Sequence, residues 1–213
     1  MIGSMPVGMR VSAKRAAVAM ATLATLALTA MAGTNALAAA PAGPVKYTLD
    51  PAGSMLRFSF EQAGANNNGR FGKYTVDVAF AADNLAASKI DTTVDVASLD
   101  TGDKERDDTL KSADLFDPAK FPKARFVSSK ITTVGAGRYE AQGKLTIRNV
   151  TKDIKLPITF QTKDEKGKQM GFLTGRYTLK RLEYGVGQGE WKSLEWVKDD
   201  VIVTFSLKLA PAG

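Results

Sequence analysis

From Tyr47 onward the chain alternates apolar and polar side chains. Leu56, Phe58 and Phe60 share one face, and Arg57, Ser59 and Glu61 share the other. Tyr74, Val76, Val78 and Phe80 repeat the pattern against Thr75, Asp77 and Ala79, as do Ile90, Thr92, Val94 and Val96 against Asp91, Thr93 and Asp95. A period of two predicts half-buried strands with one apolar and one wet face. Further strands are predicted over 126–133, 138–147, 154–161, 171–181 and 201–209. Within 154–161, Ile154, Leu156, Ile158 and Phe160 face one way and Pro157 the other. Proline cannot donate to a ladder, so Pro157 predicts an edge position or a bulge. Turn-forming residues at 66–69, 135–137 and 163–168 predict hairpins. Only 103–113 reads as helix, capped by Gly102 or Asp103 and supported by an Asp107–Lys111 pair. About eight antiparallel strands at hairpin spacing predict an all-β barrel or sandwich.

The chain has 213 residues, enough for one barrel-sized domain. Residues 1–38 read as a secretory signal peptide. Arg10, Lys14 and Arg15 form a basic start, 16–32 is uncharged, and Ala36-Leu37-Ala38 fits a cleavage site. That run is about 17 residues and weakly hydrophobic, below the ~20 strongly apolar residues of a membrane span. Export to the periplasm is therefore expected. Residues 39–46, rich in Ala, Pro and Gly, read as a flexible leader, and 47–210 as the domain. The signal-like segment holds three basic and no acidic residues, so without it the net charge falls from +7 to +4. The basic residues are scattered, which argues against nucleic acid as a partner. A weak attraction to an anionic membrane surface fits this charge.

The chain has no Cys and no His. That excludes disulfides, lipoprotein acylation, thiol nucleophiles, covalent haem, Ser-His-Asp triads and nearly all zinc and copper sites. Carboxylate chemistry, Ser-Lys chemistry and oxygen-ligand cations survive. Glu183, Glu190 and Glu195 read as exposed loop charges rather than a glycosidase pair. No enzyme activity and no cofactor are expected.

One segment carries a resemblance. Arg106-Asp107, Leu110, Asp114 to Asp117, Phe121-Pro122 and Phe126 follow a strand ending near Ala97. This run resembles the most recognisable segment of the YceI-like family, which links two halves of a lipocalin-like barrel. Tyr47 to Pro51 with Ser54 and Phe58 is similar to the family's opening. Gly143 to Lys152, Gly171-Phe172 and Arg181 to Val186 are similar to its later motifs. The resemblance implies a single eight-stranded antiparallel barrel around an elongated apolar tunnel. It also implies a polyisoprenoid ligand, either a prenyl phosphate or an isoprenoid quinone. Many relatives carry His near the positions of Gly53 and Gln62 here, so no head-group or redox role tied to those histidines transfers.

The candidate ligand-lining residues are Phe58, Phe60, Val78, Phe80, Val94, Val96, Phe126, Ile147, Ile158, Phe160 and Phe172 on inward faces. Leu110 and Phe116 join them from a lid or end plug at 103–122, and Tyr184, Trp191 and Trp196 from the barrel mouth. Each of these suits a packed core equally well. Arg106 and Asp107 read as a pair pinning the helix. Arg148 and Arg181 read as structural salt bridges or, alternatively, as holders of a phosphate head group. Three readings follow besides a periplasmic lipid carrier. One is an accessory of membrane electron transfer, presenting quinone to a membrane cytochrome. Another is an envelope stress or structural protein with a filled barrel. The last is a lipid hydrolase or isomerase working with carboxylates alone. An exposed apolar mouth would favour a homodimer.

Overall fold

The computed structural model describes residues 43–212, so the signal-like segment and the start of the leader lie outside the described residues. Ten strands follow one another: β1 (Val45–Gln62), β2 (Ala65–Phe71), β3 (Tyr74–Phe80), β4 (Lys89–Asp95), β5 (Leu99–Asp100), β6 (Lys123–Gly135), β7 (Arg138–Ile147), β8 (Val150–Glu165), β9 (Lys168–Lys180) and β10 (Val197–Pro211). One short helix, α1 (Lys104–Leu110), sits between β5 and β6. The first strand starts two residues inside the stretch expected to be a leader.

Eight of the strands close into an antiparallel barrel in the order β1-β10-β9-β8-β7-β6-β4-β3, with β3 returning to β1. Closure removes sheet edges. Strand β1 is long enough to serve two neighbours on one side: Val45–Thr48 pairs with β3, and Arg57–Gln62 pairs with β2. Strand β5 then pairs with the end of β2. A register break in β1 between Asp50 and Met55 is bridged by Ser54. Its Oγ donates to the Asp50 carbonyl at 2.7 Å and accepts the Lys208 N–H at 2.9 Å.

The hairpins differ from expectation at one place. The first closes at Ala63–Gly64, both at positive φ, between Gln62 and Ala65. The turn formers at 66–69 lie instead within β2. Two-residue turns of this hand match the twist of the strands they join. Lys166–Gly167 makes another such turn, within the predicted 163–168. Pro157 faces outward opposite Glu140, and the β8–β9 ladder begins only at Ile158. Its missing N–H therefore falls at a local edge, as proline in a sheet requires.

Helix α1 is shorter than the 103–113 expected. Asp103 caps it, accepting the Arg106 N–H at 3.0 Å. Neither expected pair of Asp107 forms. Its carboxylate accepts from the Thr101 N–H (2.8 Å) and hydroxyl (2.7 Å), fastening the helix to β5. Arg106 turns to Asp103 at 3.6 Å, and the i,i+4 ion pair is Lys104–Asp108.

The barrel ends differ in filling. At the end away from α1, Tyr47, Phe80, Tyr139 and Phe160 form an aromatic plug. Phe160 meets Phe80 at 4.2 Å and Tyr47 at 5.6 Å between ring centroids, and Phe80 meets Tyr139 at 5.0 Å. Ala141 and Leu209 beside them are fully buried. Replacing Phe160 with Ala should lower unfolding stability by about 3–5 kcal/mol, read from urea denaturation. A loss below ~1 kcal/mol would contradict the plug, because a deletion there would then leave no cavity.

Candidate functional site

Above the plug the inward faces stop filling the barrel. Val94, Leu145, Leu156, Tyr177, Val201 and Val203 point inward yet are only half-buried. They keep accessible surface because they border a hollow. The hollow is a cavity of about 430 Å³, running from the plug towards α1. That falls within the ~300–1,000 Å³ of sites for small organic ligands.

Glycines make this room. Gly175 of β9 stands opposite Phe205 of β10, and Gly69 of β2 stands opposite Phe58 of β1. A Cβ on Gly175 would lie 2.4 Å from the Phe205 ring, and one on Gly69 would lie 2.2 Å from the Phe58 ring. Each ring therefore occupies the place of a missing side chain and lies along the wall. Strand glycines mark such close approaches.

The end of the cavity near α1 is covered by two segments, α1 with 111–122 and the stretch 181–196. Leu110, Leu115, Phe116, Val186 and Trp191 are their apolar underside. The Asp114 carbonyl ties the segments together, accepting the N–H groups of Gly187 (3.0 Å) and Gln188 (2.8 Å). Arg148 fastens the first segment by donating to the carbonyls of Ala113 and Leu115, and its guanidinium stacks 4.9 Å from the Phe121 ring.

Arg181 fastens the second. It is buried, and it donates to the carbonyls of Lys198 (3.0 Å), Val186 (3.0 Å) and Val197 (2.8 Å), with Ser193 at 3.5 Å. Burial lowers its pKa from the usual arginine range, opposed by the nearby Asp199 carboxylate. Both arginines thus donate to backbone carbonyls and not to a side-chain carboxylate, which corrects the salt-bridge reading, and buried Arg181 is not free for a phosphate.

Besides Tyr74, Thr92, Arg125, Tyr177 and Arg181 along the wall, polar residues line the cavity at a rim formed by Gln62, Asp103, Glu105, Arg106 and Thr109. Asp103 and Glu105 are exposed there, so the rim is where the cavity wall reaches water. On the wall, burial raises the pKa of Tyr74 and of Tyr177, the latter also through Glu183. Among the described residues, no group of three or more acidic side chains converges as a metal site would require.

The expected lining residues divide. Phe58, Phe60, Val94, Val96, Leu110, Phe116, Phe126, Ile147, Ile158 and Trp191 border the cavity. Val78, Phe80 and Phe160 do not; they sit in the close-packed core at the plug end. Phe172 points outward, because Leu173, Gly175, Tyr177 and Leu179 take the inward positions of β9. Tyr184 lies under the cover against Ile147 and Leu179, 2% exposed, and burial pushes its hydroxyl up to about 12. Trp196 is 65% exposed, and only its carbonyl is engaged, by the Ala63 N–H at 2.7 Å.

The β10 lining, Val201, Val203, Phe205 and Leu207, went unassigned from sequence. The alternation was there, but Ile202 between two valines leaves both faces apolar at the start of that strand.

Comparison with known proteins gives a consistent result. A profile of the YceI-like domain matches residues 47–209. A UPF0312 protein of Vibrio vulnificus is 31% identical over 150 residues, covering 68% of this chain and 79% of that protein. A UPF0312 protein of Pseudomonas syringae pv. tomato is 34% identical over 169 residues, covering 77% and 86%. The crystal structure of Burkholderia cenocepacia BcnA is similar with a TM-score of 0.71 at 33% identity, over 75% of this chain and 98% of that one. A polyisoprenoid binding domain from Saccharophagus degradans, implicated in plant cell wall breakdown, has the same fold, with a TM-score of 0.63 at 17% identity over 79% and 99%.

Two variants test this geometry. Arg181→Met strips the donors from a set of buried carbonyls and should cost about 3 kcal/mol or more, with faster proteolysis at 185–197. An unchanged unfolding midpoint would contradict the clamp. Phe126→Trp should narrow the cavity and lower the amount of co-purified or added apolar ligand, while the outward-facing Phe172→Trp should not. Equal ligand content in the two variants would overturn the assignment of faces.

Proposed function

The chain belongs to the YceI-like family, and on that premise we propose that it binds and carries a long apolar isoprenoid lipid inside the barrel. The ligand is a polyprenyl phosphate or an isoprenoid quinone. The observation that carries this reading is the apolar cavity between the aromatic plug and the cover. Each CH₂ buried there contributes about 0.8 kcal/mol. A chain of a few isoprene units therefore gains ample affinity from area alone, with loose selectivity for length. The structural likeness to a polyisoprenoid binding domain supports the same ligand class.

The role is one of binding rather than turnover. The wall is mostly apolar, its two buried or outward-turned arginines are engaged by carbonyls and by Asp91, and the chain lacks the histidine and cysteine of most hydrolytic sites. An unfilled interior also argues against a purely structural barrel. The signal-like segment 1–38 supports a periplasmic location, where a hidden tail could cross water between membranes. If the ligand is a quinone, delivery to a membrane cytochrome would use the same cavity.

Native mass spectrometry of protein purified from a bacterial periplasm, followed by organic extraction, tests the reading. A stoichiometric prenyl lipid or quinone is expected. Lipid-free protein that also refuses added quinone and prenyl phosphate would contradict it.

A further inference from the structure

The rim near α1 separates two kinds of isoprenoid head group. A phosphate or diphosphate carries charge into a mostly apolar cavity and needs a free cation to compensate its lost hydration. Among the described residues of the cavity wall, the cationic side chains are Arg106, Arg125 and Arg181. Arg181 is occupied by backbone carbonyls. Arg125 precedes the inward Phe126 and turns outward to Asp91, bonding both carboxylate oxygens at 2.9 and 2.6 Å. That contact holds the Asp91 carboxyl below the usual carboxylate range.

Only Arg106 remains at the rim, and it is 3.6 Å from Asp103. Glu105 lines the same rim, so the rim carries two carboxylates and one guanidinium. The first turn of α1 also carries Asp107, whose carboxylate is held by Thr101, and Lys104, which pairs with Asp108. An anionic head group would meet net negative charge where the cavity opens. A neutral one meets donors, because Gln62 offers an amide and the partly exposed Arg106 retains N–H groups beyond its contact with Asp103.

Resting on the carrier reading, we propose that this cavity selects isoprenoids with an uncharged oxygen-bearing head, such as a quinone or a free alcohol, and discriminates against the diphosphates. Asp103 and Glu105 are the residues that set the discrimination. The tail supplies affinity and the acidic rim sets which heads are tolerated.

The test holds the tail constant. Lipid-stripped protein is offered equal concentrations of geranylgeraniol, a naphthoquinone with the same four-unit tail, and geranylgeranyl diphosphate, all in non-ionic detergent. Native mass spectrometry counts the adducts. The alcohol and the quinone should each exceed the diphosphate by about tenfold or more. The pair Asp103→Asn with Glu105→Gln retains a capping oxygen on α1 and frees Arg106. It should raise the ratio of diphosphate to quinone adducts at least about fivefold, with thermal unfolding confirming the fold, and an unchanged ratio would overturn the role given to the two carboxylates. Equal or preferred binding of diphosphate by the unaltered protein would overturn the head-group assignment and leave the carrier reading standing. No adduct with any of the three would overturn both.

Discussion

The structure depends on rings laid flat against a closed sheet. An eight-stranded barrel is just wide enough for its own inward side chains or for one slender ligand. Here Phe205 lies on Gly175 and Phe58 lies on Gly69, each in the space a Cβ would fill. The rings cover the wall without crossing the lumen. Where such pairing gives way to the mutual contacts of Tyr47, Phe80, Tyr139 and Phe160, the lumen closes. One sheet thus supplies both a solid base and a hollow, and the apolar lipid reading depends on that division.

The cover over the hollow is held differently from its walls. Strands are fixed by ladders, but the two covering segments are irregular and must place many backbone groups. Arg148 and Arg181 do this by donating to loop carbonyls, and those of Val186 and Val197 that Arg181 pairs are buried. Burying an arginine is costly unless its donors are satisfied, and here carbonyls from several loop positions satisfy Arg181 together. The wall arginines Arg125 and Arg181 are thus already engaged, and the charge a ligand's head group would meet lies at the rim.

Much of the architecture was legible in the sequence. Strict alternation in 56–60, 74–80 and 154–160 sets which side chains face inward, and the motif from Arg106 to Phe126 points to the family. The hollow was not legible, because an inward phenylalanine reads the same whether it packs, as Phe160 does, or borders a cavity, as Phe126 does. Phe172 misled because Gly175 interrupts the apolar series on the true inward face of β9. The first turn misled because Ala63–Gly64 carries weaker turn chemistry than the Asn-rich run after it. The partners of Arg181 come from 186–198, a distance no local pattern spans.

The most direct test of the central claim is a crystal structure of the protein carrying its co-purified ligand. The account predicts continuous chain-like density inside the barrel, its tail end near Leu173 and Leu207 and its head at the rim by Arg106. A barrel interior filled by its own side chains, or ligand density only on the outer surface, would contradict it.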